Sequence, residues 1–305
     1  MTTRNSREEL IAQLTEGIRN LTSSIEWRRY LEIQSRFHNY SYRNVLLIAA
    51  QCQDATRIAG FNTWRRLNRS VRKGEKAIWV LAPMLYKNPE NTEGDRVIRG
   101  FKLVAVFDVA QTDGDELPSI CVRLNDDDPA GRYIQLVRVA QSIGFKVEDH
   151  EFISQTNGDC CHVERRIRIE TRNSAAQRVK TLAHELAHAL LHESYGNRGL
   201  AELEAESTAY VVCRSLEIDS SGYSFGYLAT WAGGSDKAVM GIKASCERIQ
   251  KTAALILQAV EPDFDYAKQS RFPASVTGSP GADLADPTSV SVAQDASVLA
   301  RAGAG

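Results

Sequence analysis

The chain has 305 residues, 43% of them hydrophobic, which is enough for two modest domains with real cores. The net charge of −1 excludes a uniformly basic or acidic chain, but the first 80 residues hold fourteen Lys and Arg against seven Asp and Glu, while the remainder balances at −8. This asymmetry predicts an anionic partner for the N-terminal part, and the lack of a bilayer-length apolar run or a signal-peptide core predicts a cytoplasmic protein that crosses no membrane.

The first predicted element is an amphipathic helix over 8–21, with Leu10, Ile11, Leu14, Ile18 and Leu21 as its stripe. Further helices are expected over 25–37 and 44–52, and a short basic one over 62–68. Residues 77–83 and 97–107 read as antiparallel strands. The segment between them is rich in turn residues (Asn88, Pro89, Asn91, Gly94, Asp95). Asp126-Asp127-Asp128-Pro129 reads as a linker. After it come a helix over 132–143 closed by Gly144, short strands over 145–148 and 151–156, and a longer strand over 161–170. Three helices follow: one through the histidine-rich stretch, one to Leu216, and one over 237–260. Residues 268–305 are Ala, Ser, Gly, Asp and Pro with one aromatic, Phe272, and are expected to be disordered. The cysteines include no Cys-x-x-Cys pair, so reduced thiols are expected. The fold class is α+β, with domains at 1–125 and 126–267 ahead of the tail.

Cations and aromatics interleave in the first domain. Arg36, His38, Tyr40, Tyr42 and Arg43 cluster in eight residues; Trp64, Arg65, Arg72, Lys73 and Lys76 follow. Cations that track phosphates, with aromatic faces that stack on bases, hold single-stranded nucleic acid without sequence preference. The pattern is also compatible with ordinary helix surface.

The second domain carries His184-Glu185-Leu186-Ala187-His188 inside an apolar helical pattern, with Asn173-Ser174 as a helix start. Histidines four apart share a helix face, about 6 Å apart along the axis. Both can reach one Zn2+ with bonds of roughly 2.0–2.1 Å. Glu185 is placed as the general base that takes a proton from water. A catalytic zinc needs a third protein ligand. His192 lies about 12 Å from His184 along the same helix and cannot converge with both rings. The acidic helix that follows offers Glu202 and Glu206 on one face, with Glu204 pointing elsewhere. Glu202 is read as the ligand and Glu206 as a partner orienting a histidine, or the reverse. Tyr195, Tyr210 and Tyr223 are candidates for polarising a substrate carbonyl. The edge of strand 161–170 is expected to dock a peptide as an added strand.

The sequence resembles the ArdC-type antirestriction proteins. In the first domain the resemblance rests on Phe37 to Asn44, Ala59-Gly60-Phe61 with Trp64, Val71 to Lys76, Leu81-Ala82-Pro83, and Val106 to Val109 with Gln111-Thr112. In the second it rests on the zinc motif, Glu202 to Tyr210, and Tyr227-Leu228-Ala229 with Trp231, and this half is also similar to the ImmA/IrrE metallopeptidase group. The resemblance implies a single-stranded-DNA-binding domain joined to a zincin-like metallopeptidase domain with a zinc site; it does not establish which protein, if any, is the substrate. Two other roles are compatible with it: a regulatory protease that cleaves a DNA-binding repressor, and a non-catalytic protein that masks DNA.

Overall fold

The computed structural model describes residues 7–87, 96–117, 129–193, 197–218 and 236–260. The expected linker at 126–128, the turn at 88–95, the tail at 268–305, Tyr195, Tyr223 and the 227–231 stretch all lie outside them.

Three helices open the chain: α1 (Arg7–Asn20), α2 (Ser24–Arg36) and α3 (Tyr42–Gln51). The Ser23 and Ser41 hydroxyls accept from the backbone N–H of Glu26 and Asn44, each satisfying one of the donors left unpaired at the starts of α2 and α3. Leu10, Leu14, Ile18 and Leu21 are all buried, as their helical spacing requires. After β1 (Ile58–Ala59), α4 (Phe61–Arg66) and β2 (Arg69–Val71) come the long strands β3 (Ile78–Lys87) and β4 (Arg96–Asp108). They pair antiparallel in a sheet of order β1-β4-β3, and β2 pairs with β5 (Thr112–Gly114).

An exposed strand edge leaves peptide groups unpaired. Along β3 that edge is closed by two amide side chains of α3. Asn44 exchanges hydrogen bonds of 2.8 and 2.9 Å with the Leu81 peptide groups, and Gln51 does the same with Trp79 at 2.9 Å. At the end of β4, Asp108 is 2% exposed and accepts from the backbone of Thr56, Arg57 and Ala110. Gln111 accepts from the Asp108 N–H and donates to Glu75 and the Lys76 carbonyl. These motif residues are therefore staples of the fold.

The second part comprises α5 (Pro129–Ser142), β6 (Lys146–His150), β7 (Gly158–Cys161), β8 (Arg166–Glu170), α6 (Ala175–Leu191), α7 (Arg198–Ser215) and α8 (Asp236–Val260). Gly144, at φ 80°, closes α5. The sheet order β6-β8-β7 corrects two expectations. Residues 151–156 are not a strand, and 161–170 is the end of β7, a turn and β8. β8 is the central strand, with Ile167 and Ile169 fully buried, so the edges of this sheet are β6 and β7, and β7 is the one that passes close to Thr181 and Glu185 of α6.

The helices of the two parts share one hydrophobic core. Trp27 of α2 donates its indole N–H to the Ser207 hydroxyl of α7 at 2.9 Å, and both side chains are fully buried. Ser215 and Arg214 bond Ser35 and Glu32, while Gln250 of α8 donates to the His38 carbonyl at 3.0 Å. No helix among the described residues is long and apolar enough to cross a membrane.

Candidate metal centre

Helix α6 starts at Ser174, whose hydroxyl accepts from the Gln177 N–H. Its apolar positions Val179, Leu182, Ala183, Leu186 and Ala187 are fully buried, which turns His184 and His188 towards α7 and Glu185 towards β7. His184 Nε2 and His188 Nε2 stand 3.0 Å apart. Glu202 Oε2, from α7, lies 3.4 Å from the first and 3.6 Å from the second. A cation held tetrahedrally at 2.0–2.1 Å separates its ligand atoms by about 3.3–3.4 Å. Three donor atoms at these spacings fit a divalent cation. Among the described residues, these three form the one cluster of His, Cys, Asp and Glu able to hold a metal.

Glu206 occupies a different place, with Oε2 accepting from His184 Nδ1 at 3.1 Å. Burial pushes the His184 imidazole down, but Glu202 and Glu206 outweigh it and raise it to about 10. His188 is held below its ordinary value, chiefly by burial. Glu202 is held well below the carboxylate range by the two histidines. Burial lifts the Glu185 carboxyl to about 7 against the opposing pull of His184, with Asp159 and Glu202 adding to the rise. A carboxylate near neutrality is matched to taking and returning protons.

A cleft of about 450 Å³ opens beside these groups, lined by Asn157, Gly158, Gln177, Lys180, Thr181 and Glu185 among others. The close passage of β7 past α6 depends on Gly158. A Cβ there would stand 2.5 Å from Thr181 Cγ2, 3.0 Å from the Arg168 carbonyl and 3.3 Å from Glu185 Cγ. Gly158→Val is expected to push β7 away from α6 and to cost about 1–3 kcal/mol of stability by overpacking. Urea unfolding checks this; an unchanged midpoint would show that the strand yields freely.

Tyr210 is 3% exposed, with Arg28 over its ring, so it faces α2 rather than the cleft. His192 stands behind His188, with Nδ1 atoms 3.0 Å apart, and does not join the cluster. Glu204 does point elsewhere, into the core beside His192 and Arg248. Nothing local in the sequence marks its partners Ser245 and Arg248, which lie 41 and 44 residues away.

The predicted nucleic-acid residues divide by burial. Arg65, Lys73 and Lys76 are exposed. Arg36 is exposed and paired with Glu32 at 3.2 Å, and Arg72 with Glu75 at 2.8 Å and Asp113 at 3.3 Å. His38, Tyr40 and Arg43 are half-buried. Trp64 and Tyr42 are corrections. Trp64 is 2% exposed and donates its indole N–H to the Phe107 carbonyl at 2.9 Å, and Tyr42 is 5% exposed. Their rings fill the core and offer no face to a base. Among the described residues, the exposed large aromatics are Phe61, Tyr86 and Phe101, which spacing did not mark.

Two family models match the chain: the N-terminal domain of anti-restriction factor ArdC over residues 4–117, and the IrrE N-terminal-like domain over residues 140–211. A Bacillus anthracis protein, pXO2-81, is 23% identical over 321 residues, 88% of this chain and 53% of that one. The chain thus spans about half the length of that curated relative. The Mn(II)-bound crystal structure of the antirestriction ArdC protein from plasmid R388 is similar at 22% identity and a TM-score of 0.51, covering 81% of this chain and 98% of that one. The metal-free form of the same protein aligns at 22% identity and a TM-score of 0.47, covering 72% and 85%. The chain thus carries an ArdC-type N-terminal domain over residues 4–117 followed by an IrrE-like domain over residues 140–211, on one mixed α+β chain.

Proposed function

We propose that the chain binds single-stranded DNA through its N-terminal part (1–125) and is a zinc-dependent peptide hydrolase through its second part (126–267). The observation that carries the enzymatic half is the convergence of His184 Nε2, His188 Nε2 and Glu202 Oε2 beside the buried Glu185. These three would hold the ion, and Glu206 orients His184 through Nδ1. When bound, Zn2+ would supply Lewis-acid polarisation of a scissile carbonyl. Glu185 takes the proton of a water entering the cleft and returns it to the leaving amine. The free edge of β7 offers peptide groups to an extended substrate. An unfolded protein substrate tests this reading. Its cleavage is expected to stop on chelation and return with added zinc; cleavage that survives chelation would exclude it.

The DNA-binding half is supported by exposed cations beside an exposed aromatic. Phe61 and Arg65, four apart, share a face of α4, and Lys73 and Lys76 are exposed around the loop after β2. Lys73→Ala with Lys76→Ala is expected to weaken binding to all sequences alike. It should also flatten the log–log salt dependence by about 0.7 per lost phosphate contact. Phe61→Ala is expected to cost roughly 1–3 kcal/mol with little change in slope, because stacking releases no ions. Fluorescence anisotropy of a labelled oligonucleotide over a salt series measures both. An unchanged slope in the lysine variant would move the DNA to another surface.

A further inference from the structure

Behind the metal centre runs a chain of buried polar groups to which no ligand role has been given. Glu204 is 2% exposed, Ser245 0% and His192 7%. Arg248 of α8 donates through Nε to Glu204 Oε2 at 2.9 Å and through Nη2 to Oε1, and the Ser245 hydroxyl donates to Oε1 at 2.6 Å. His192 Nε2 lies 3.3 Å from Glu204 Oε2, and His192 Nδ1 lies 3.0 Å from His188 Nδ1. His188 Nε2 then faces His184 and Glu202.

The protons along this chain can be placed by counting donors. A carboxylate that accepts from a guanidinium and a hydroxyl has only acceptor sites left, so His192 Nε2 must donate to it. A neutral imidazole carries one N–H, which leaves His192 Nδ1 able only to accept. His188 Nδ1 must therefore supply the proton shared by the two rings, and its Nε2 is left bare.

We propose that Glu204 and His192, neither of them a metal ligand, form a positioning relay that holds His188 in its Nδ1–H tautomer with Nε2 bare towards the metal. The relay explains the third carboxylate of the Glu202, Glu204, Glu206 run, which belongs to the opposite face of α7. It also ties a metal ligand of α6 to α8 through Ser245 and Arg248. The inference rests on the metal-site reading above, and its test separates the two.

The experiment uses full-length, metal-free protein with 15N-labelled histidine, and reads tautomers from long-range 1H–15N correlations. His188 is expected to carry its proton on Nδ1. His192→Phe is expected to move it to Nε2 and to weaken Zn2+ binding about 10–100-fold in competition with a chromophoric chelator. His192→Asn places an oxygen near the position of Nδ1, so it can accept the same proton and is expected to keep near-native affinity. An Nε2–H tautomer of His188 in the unaltered protein would overturn the relay without reference to any variant. A folded His192→Phe that binds Zn2+ as tightly as the unaltered protein would also overturn it. If the unaltered protein binds no Zn2+, the metal-site reading fails, and the tautomer measurement still decides the relay.

Discussion

The double variant His184→Ala/His188→Ala is expected to retain essentially no metal after dialysis, against about one ion per chain in the unaltered protein. The two imidazoles supply two of the three donor atoms, and Glu202 alone, with its side chain 47% exposed, leaves only a hydrated carboxylate. Glu202→Ala is expected to lower affinity more than Glu206→Ala. Glu202 Oε2 faces both Nε2 atoms, whereas Glu206 reaches only His184 Nδ1. Elemental analysis with chelator competition measures both effects. Stoichiometric metal in the double variant would remove the site from α6 altogether. The reverse order of the glutamates would exchange their roles.

Glu185→Gln is expected to keep the metal and lose hydrolysis. The amide preserves the shape of a side chain that is 7% exposed, so packing against β7 changes little. It cannot accept a proton at neutral pH, and removing a positioned general base typically costs 10²–10⁴-fold in rate. Single-stranded-DNA binding is expected to remain, since Glu185 faces the cleft and not α4. Turnover of an unfolded substrate, compared at equal metal content, decides the matter. A variant that cleaves at the native rate would mean that Glu185 serves only structure. If DNA affinity fell with activity, the two functions would not be separate.

Separation has a structural limit, because the N-terminal helices do not end at a domain surface. Trp27, Leu31 and Tyr30 on α2 are buried in the core shared with α7 and α8. A fragment ending near Asn125 would expose that face to water, so DNA binding is best measured on the full chain.

Several features were legible in the sequence because they depend on local period. The His184/His188 pair and the Glu202/Glu206 pair are each four apart, and one turn of helix puts each pair on one face whatever surrounds it. The same argument placed Ser174 at the start of α6 and sent Glu204 to the other side of α7. The long helices and the β3–β4 pairing followed from apolar spacing in the same way.

Tertiary structure decided what spacing leaves open. An aromatic among arginines reads alike whether its ring faces solvent or core, and only packing showed Trp64 to be bonded to the Phe107 carbonyl and Phe61 to be outside. The strand edge at the cleft belongs to β7 because β6 pairs with the far side of β8, a choice made between segments distant in sequence. Glu204 meets Ser245 and Arg248 only when α8 folds back across α7. A buried charge must find its partner wherever the chain brings one, and no local pattern records which residue that will be.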